Sequence, residues 1–280
     1  MTVIYARCPL VNFDQAEGLR RMLFNAKPRF VTFLSALSNE ERNATLVNLS
    51  AGLGALGHDV VLMDARVNGT SCAKWLEVPI KTTLLDIARQ KRSIKEATIP
   101  TSQGFKLASF CRSQQLTEYF PATELVLTKL DKIIVSLGNS VDIVLVDGEL
   151  NDNNKLASDV LEDGQVVIQV TNHPDSIKAA YGLIKRAHSH CGRRDYGVLV
   201  CGVTELEAHR VFEALAHVAG SFLSVSLNLM GYIPDDDYLR RASRSGRSVI
   251  DVFPRAGASV AFSRLAQQMS GFNEFATSHM

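Results

Sequence analysis

The sequence predicts an α/β fold, a mostly parallel central sheet with helices on both faces. Three observations predict it. Strand-like and helix-like segments alternate along most of the chain. The strands are near-continuous apolar runs, as expected of strands buried on both faces. Residues 30–64 also form a complete strand–helix–strand unit, in which a crossover helix makes the two strands parallel.

That unit opens on Phe30-Val31-Thr32-Phe33-Leu34-Ser35, β-branched and aromatic and therefore strand-like. A loop is expected over 36–43, then a helix over 44–56 with Leu46, Leu49, Leu53 and Leu56 at helical spacing. Gly57 stands in a good position to end it. His58 to Asp64 is a second apolar strand that ends in an acid. Short helices are expected at 75–78 and 83–88, a solvated basic run at 91–95, and a strand over 104–110. Glu124 to Leu137 has the pattern of an amphipathic helix, and Val141 to Asp147 that of another buried strand tipped with an acid. Further strands are expected at 165–171, 196–201 and 227–233, with helices at 175–187 and 205–219 between them. No internal repeat or low-complexity linker divides residues 30–270, which read as one domain after an N-terminal arm (1–29) and before a short tail (271–280).

Composition narrows the function classes. Hydrophobic content of 46% and charged content of 21% are those of a globular protein. A net charge of +1 gives no general electrostatic case for nucleic acid. Five scattered cysteines lack the paired spacing of a zinc site and suit a reducing, cytoplasmic compartment. No apolar run reaches the length of a bilayer span, and no signal peptide is evident.

The loop at 36–43 decides the chemistry. In a strand–helix–strand unit this loop faces the ligand, because backbone N–H groups and the helix dipole attract phosphate there. A phosphate-cradling loop needs glycines and a lysine before a serine or threonine. This one has neither glycine nor lysine. Ser38 and Glu41 instead have the spacing of a capping box, and Glu40 and Glu41 place negative charge where a phosphate would sit. Two readings follow: a unit that never bound nucleotide, or a nucleotide fold whose site has been closed. Asp64 and Asp147, at carboxyl ends of strands, lie where a magnesium site would be in such a fold.

Other clusters have plain readings. His188, His190 and Cys191 offer three metal-type ligands without a fourth, at a helix end. Asp235-Asp236-Asp237 fits the first turn of a helix. Arg240, Arg241, Arg244 and Arg247 form a basic face, solvated or turned to an acidic partner. Val260, Phe262, Leu265, Met269 and Phe272 form an apolar stripe that reads as core, with a membrane-facing helix as the minor reading. In the N-terminal arm, Asp14 to Leu23 reads as a short capped helix with Leu19, Met22 and Leu23 on one edge, marginal alone and suited to docking.

Several of these segments together resemble a known family. Asn48-Leu49-Ser50 with Leu56 to Asp64, Asp142 to Asp147, Pro174 to Lys185 and Leu229 to Asp236 resemble the MinD/ParA branch of the deviant P-loop ATPases. Asp14-Gln15-Ala16-Glu17-Gly18-Leu19-Arg20 is similar to the N-terminal motif of its flagellar number regulators, FlhG, FleN or YlxH. The resemblance spans roughly residues 10–270 and implies a MinD-like P-loop fold. In the family, a Lys-Gly-Gly-Val-Gly-Lys-Thr loop holds the nucleotide. Those positions here are Leu37 to Asn43, so the interface lysine is Leu37, the phosphate lysine Arg42 and the magnesium threonine Asn43. Asp64 and Asp147 keep their acids, a second acid becomes Arg66, and an adenine-contacting asparagine becomes Cys201.

The resemblance thus implies a regulator of flagellar number and placement, an antiactivator-type protein acting by contacts rather than ATP turnover. No nucleotide or metal is expected to be bound. A retained nucleotide would meet Arg42, Asn43, Asp64 and Asp147. The partner implied is an FlhF-type GTPase of the signal-recognition-particle class, engaged through Asp14, Gln15, Leu19, Arg20 and Leu23. Flagellar switch proteins and a flagellar transcription activator are further implied partners. The competing reading is an active ATPase that dimerises on ATP and magnesium and binds the inner face of the membrane.

Overall fold

The structure is a computed structural model that describes residues 29–66, 71–90, 93–111, 124–192 and 194–275. The first strand, β1 (Phe30–Ser35), leads into α1 (Asn39–Ala55) and β2 (Val60–Asp64). Two short helices follow, α2 (Cys72–Trp75) and α3 (Leu84–Gln90), then β3 (Thr98–Pro100) and β4 (Lys106–Ser109). Next come α4 (Glu124–Asn139), β5 (Ile143–Gly148), α5 (Asp159–Glu162) and β6 (Gln165–Val170). The described chain continues through α6 (Pro174–Cys191), β7 (Tyr196–Cys201), α7 (Glu205–Leu223) and β8 (Leu227–Ile233). It closes with α8 (Asp237–Arg244), α9 (Val249–Val252) and α10 (Gly257–Phe275), the last running through position 270.

The eight strands form one sheet in the order β3-β4-β2-β5-β1-β6-β7-β8, parallel except for the β3–β4 pair. Strand β3 was not foreseen. It is three residues long, antiparallel and at the sheet edge, where Pro100 needs no ladder N–H. Alternate residues of each strand feed two cores. Val144, Val146 and Ile168 face α3 to α7, while Leu145, Val31, Phe33 and Val167 face α1, α2 and α8 to α10. The connection after β1 runs to one side of the sheet and that after β5 to the other, so the strands' carboxyl ends open a crevice beside β1 and β5.

Helix α1 begins five residues before the expected start, at Asn39 rather than at residue 44. The expected loop of eight residues is therefore three, Ala36 to Ser38, and the first turn of α1 takes up the rest. The helix is buried from Arg42 to Leu53, between the sheet and α10. Gly57 ends the unit with φ of 90°, the left-handed geometry the sequence suggested. Phe262, Leu265 and Met269 of the C-terminal stripe are buried against this layer, whereas Val260 is 52% exposed. Among the described residues no helix is long and apolar enough to cross a membrane.

Candidate functional site

The crevice is built from the end of β1, the start of α1 and the tips of β2 and β5. Ser38 caps α1: its Oγ accepts from the Glu41 N–H at 3.3 Å, and Glu41 Oε2 accepts from the Ser38 N–H at 3.1 Å. This is the capping box read from the sequence. It satisfies helix-end donors that would otherwise point at a ligand. Glu40 and Glu41 also place carboxylates in the first turn, opposite in sign to the helix dipole.

One turn further on, Arg42 points inward and is only 2% exposed. Its Nε donates to Asp147 Oδ2 at 3.0 Å. Its terminal nitrogens donate to Asn39 Oδ1 at 2.5 Å and to Asn43 Oδ1 at 3.2 Å. The Cys72 thiol donates to the same Asn43 oxygen at 3.4 Å. Asp64 lies directly across the ladder from Asp147 and accepts from the Arg66 N–H at 3.2 Å. Arg66 reaches Glu149 at 3.6 Å. The four candidate nucleotide residues, Arg42, Asn43, Asp64 and Asp147, are thus gathered in one buried cluster in which Arg42 and Asp147 hold each other.

Burial dominates the electrostatics. Desolvation pushes the Asp147 carboxyl up to about 7, against the pull of Arg42, with the Asp64 charge adding to the rise. Desolvation likewise raises Asp64 to about 6, opposed by the Arg66 N–H and by Arg42. The second oxygen of Asp147 is buried without a hydrogen-bond partner among the described residues. Burial raises the Cys72 thiol well above its ordinary range and Cys201 to about 12, so neither is an activated nucleophile.

Beside the cluster a cavity of about 410 Å³ remains, walled by Ser38, Glu41, Thr45, Cys201, Pro234 and Asp236 among others. Cys201 lines this cavity, with its sulfur 3.9 Å from Thr45 Oγ1. Leu37 is half-buried and packs on the core beneath α1. The partner-binding candidates Asp14, Gln15, Leu19, Arg20 and Leu23 lie outside the described residues.

Several contacts around the site were not foreseen. Arg186 of α6 donates from Nε to Asn154 Oδ1 at 2.8 Å. It also donates to the carbonyls of Leu150 at 3.1 Å and Asn151 at 2.8 Å, clamping the segment that follows Asp147. Asp236 caps α8 through the N–H groups of Tyr238 and Leu239, and its other oxygen accepts from Ala258 at the start of α10. The contacts of Arg186 and the second cap of Asp236 are long-range, with no local sequence signal. Asn39 is different, since it stands three residues before Arg42 on one helix face. The His188 and His190 rings go separate ways, to the Gly192 carbonyl and to Glu162. No group of three or more histidines, cysteines or acids that could hold a metal occurs among the described residues.

Comparison with known proteins agrees with this fold. No family model matches the chain. It is 27% identical over 228 residues to the antiactivator FleN of Pseudomonas aeruginosa, which covers 81% of this chain and 80% of that one. Among solved structures it superposes on the cell division ATPase MinD of Pyrococcus furiosus with a TM-score of 0.67 at 17% identity, over 88% of this chain and 99% of the other. The MinC:MinD cell division protein complex of Aquifex aeolicus gives 0.66 at 20% identity, over 87% and 96%. A ParA family ATPase of Chlorobium tepidum gives 0.65 at 17% identity, over 88% and 99%. The structural likenesses establish the fold. The chain has the fold of the MinD and ParA ATPases and is similar in sequence to the antiactivator FleN.

Proposed function

We propose that the protein is a cytoplasmic flagellar regulator of the FleN/FlhG type that acts through protein contacts and no longer uses ATP. The observation that carries this reading is the Arg42–Asp147 pair. A phosphate-binding side chain and a magnesium-facing carboxylate must both be free to meet a nucleotide, and here each is buried on the other. The residues present do not fit a magnesium–triphosphate group. The α1 amides belong to a capped helix, Glu40 and Glu41 would repel phosphate, and Asn43 offers no hydroxyl to a metal ion. Arg42 retains positive charge, but its planar fork is committed to Asp147, Asn39 and Asn43. Leu37 brings no charge to a dimer-bridging phosphate contact. The apolar stripe of α10 is largely core, which leaves little of it for a membrane.

On this reading the N-terminal motif carries regulation, and its partner is an FlhF-type GTPase. Gln15 orients the attacking water of that GTPase, Leu19 and Leu23 supply the buried contact, and Arg20 a charged one. A flagellar transcription activator is a further proposed partner, a reading that the likeness to an antiactivator supports. The test is a GTP hydrolysis assay with the cognate FlhF-type protein and a peptide of residues 1–27. Stimulation that Gln15→Ala abolishes while binding is largely kept is the result expected. An unchanged rate with both the peptide and the full-length protein would reject the role given to Gln15.

A further inference from the structure

Arg241, Arg244 and Arg255 are exposed and have no carboxylate partner within ion-pair distance among the described residues. Their neighbours are neutralised locally: Arg240 by Asp235 and Asp237, and Arg247 by Asp251 at 2.5 Å. Arg241 and Arg255 border an apolar feature, and Arg244, three residues on from Arg241 in α8, lines the neighbouring cavity. Tyr238, 48% exposed, lies with its ring centroid 4.9 Å from that of Phe253. The Arg241 guanidinium sits over both rings, 5.8 Å from the first and 5.5 Å from the second. Next to it is a cavity of about 360 Å³ lined by Tyr238, Val252, Phe253, Pro254, Arg255 and Ala256.

We infer that this corner, formed by α8 and the α9–α10 turn, docks a linear peptide segment of a protein partner. The segment carries one apolar side chain flanked by aspartate or glutamate. The cavity takes the apolar residue, and the three arginines meet the acids. Stacking holds Arg241 in place before binding, so less side-chain freedom is lost on forming a carboxylate pair. The anion is a carboxylate of a short segment rather than a run of phosphates, because positive charge here is interrupted. Asp235, Asp237 and Asp251 lie among the arginines, Glu40 and Glu41 wall the neighbouring cavity, and the whole chain carries only +1. A nucleic-acid backbone draws its affinity from many phosphates neutralised together. The inference is independent of whether the nucleotide site is closed.

Full-length protein is presented to a phage-displayed random peptide library, with the double variant Arg241→Glu, Arg244→Glu as the counter-selection. Both side chains are exposed, and thermal melts check that the variant stays folded. The selected peptides are expected to carry two or more acids around a leucine, phenylalanine or tryptophan. Fluorescence anisotropy with the most enriched peptide should show a loss of at least about tenfold in affinity for the double variant and for Arg255→Glu, a factor equal to about 1.4 kcal/mol. Tyr238→Ala should weaken the same peptide without changing its salt dependence, because it removes apolar contact and no charge. Duplex DNA and phosphatidylglycerol vesicles run in parallel should bind no better to wild type than to the variant. Failure to enrich any peptide, enrichment of peptides without acids, or equal binding by wild type and variant overturns the proposal. So does DNA or vesicle binding that only the wild type shows, which would assign the arginines to phosphate.

Discussion

The proposed closure of the site rests, at the scale of single residues, on Arg42 and Asp147. A buried ion pair contributes little beyond a well-packed apolar pair, but deleting one member strands the other charge, which costs about 3–5 kcal/mol. Arg42→Met should therefore lower stability in urea unfolding, by up to about that amount at pH 8 and by less below pH 7, where Asp147 takes up a proton. Adding Asp147→Leu to it should restore most of the loss, since no buried charge is then left alone. Asp64 makes a second residue-scale test, through pH. Its folded value of about 6 exceeds its ordinary 3.8, so between these values the folded state holds a proton that the unfolded state has released. The stabilisation from Asp64 is thus complete below about pH 4 and is lost as pH rises through about 6, a change of about 3 kcal/mol. Melts of wild type and Asp64→Asn over this range should show a smaller decline in the variant, and a larger decline would contradict the assignment. Asp64 and Asp147 were legible from their places at strand ends, and Arg42 and Asn43 from the family resemblance. The sequence did not reveal that Arg42 folds inward onto Asp147, because that pairing spans 105 residues of separation and only the fold sets it.

At the scale of elements, local signals served well wherever local chemistry decides. The Ser38–Glu41 capping box and the Gly57 stop were both legible, because each satisfies backbone groups a few residues away. The start of α1 was misplaced because the apolar period begins at Leu46, whereas the polar residues Asn39 to Asn43 are helical by virtue of the cap and the interior contacts of Arg42. Strand β3 went unseen because three residues ending in proline carry no periodicity. Close approach of elements adds a constraint that the sequence hides. A Cβ at Gly54 would lie 2.6 Å from the Gly104 carbonyl oxygen, so α1 can pass that turn only with glycine there. Gly54→Ala should cost about 1–3 kcal/mol, read as a lowered melting temperature. Asp236→Ala removes caps from α8 and α10 together and should cost about 1–2 kcal/mol, above the usual effect of an exposed acid.

For the molecule as a whole, the sheet order places the tips of β1, β2 and β5 around the N-terminus of α1, where the fold family places a nucleotide. The fold class was legible in the alternation of apolar strands and helices. Of the site, the sequence showed a loop without glycine, and only the fold brought Arg42, Asn43, Asp64 and Asp147 into one buried cluster. On the proposed reading, a molecule whose α1 is capped by Ser38 and Glu41 and whose Arg42 is paired with Asp147 has no nucleotide-dependent alternative state to adopt. Sedimentation with and without ATP and magnesium should accordingly return the same mass. The most direct test is a calorimetric titration of the full-length protein with ATP in magnesium. No saturable heat and no change in melting temperature are expected up to millimolar nucleotide. Saturable binding with a micromolar dissociation constant, weakened by Asp147→Ala, would contradict the closure of the site.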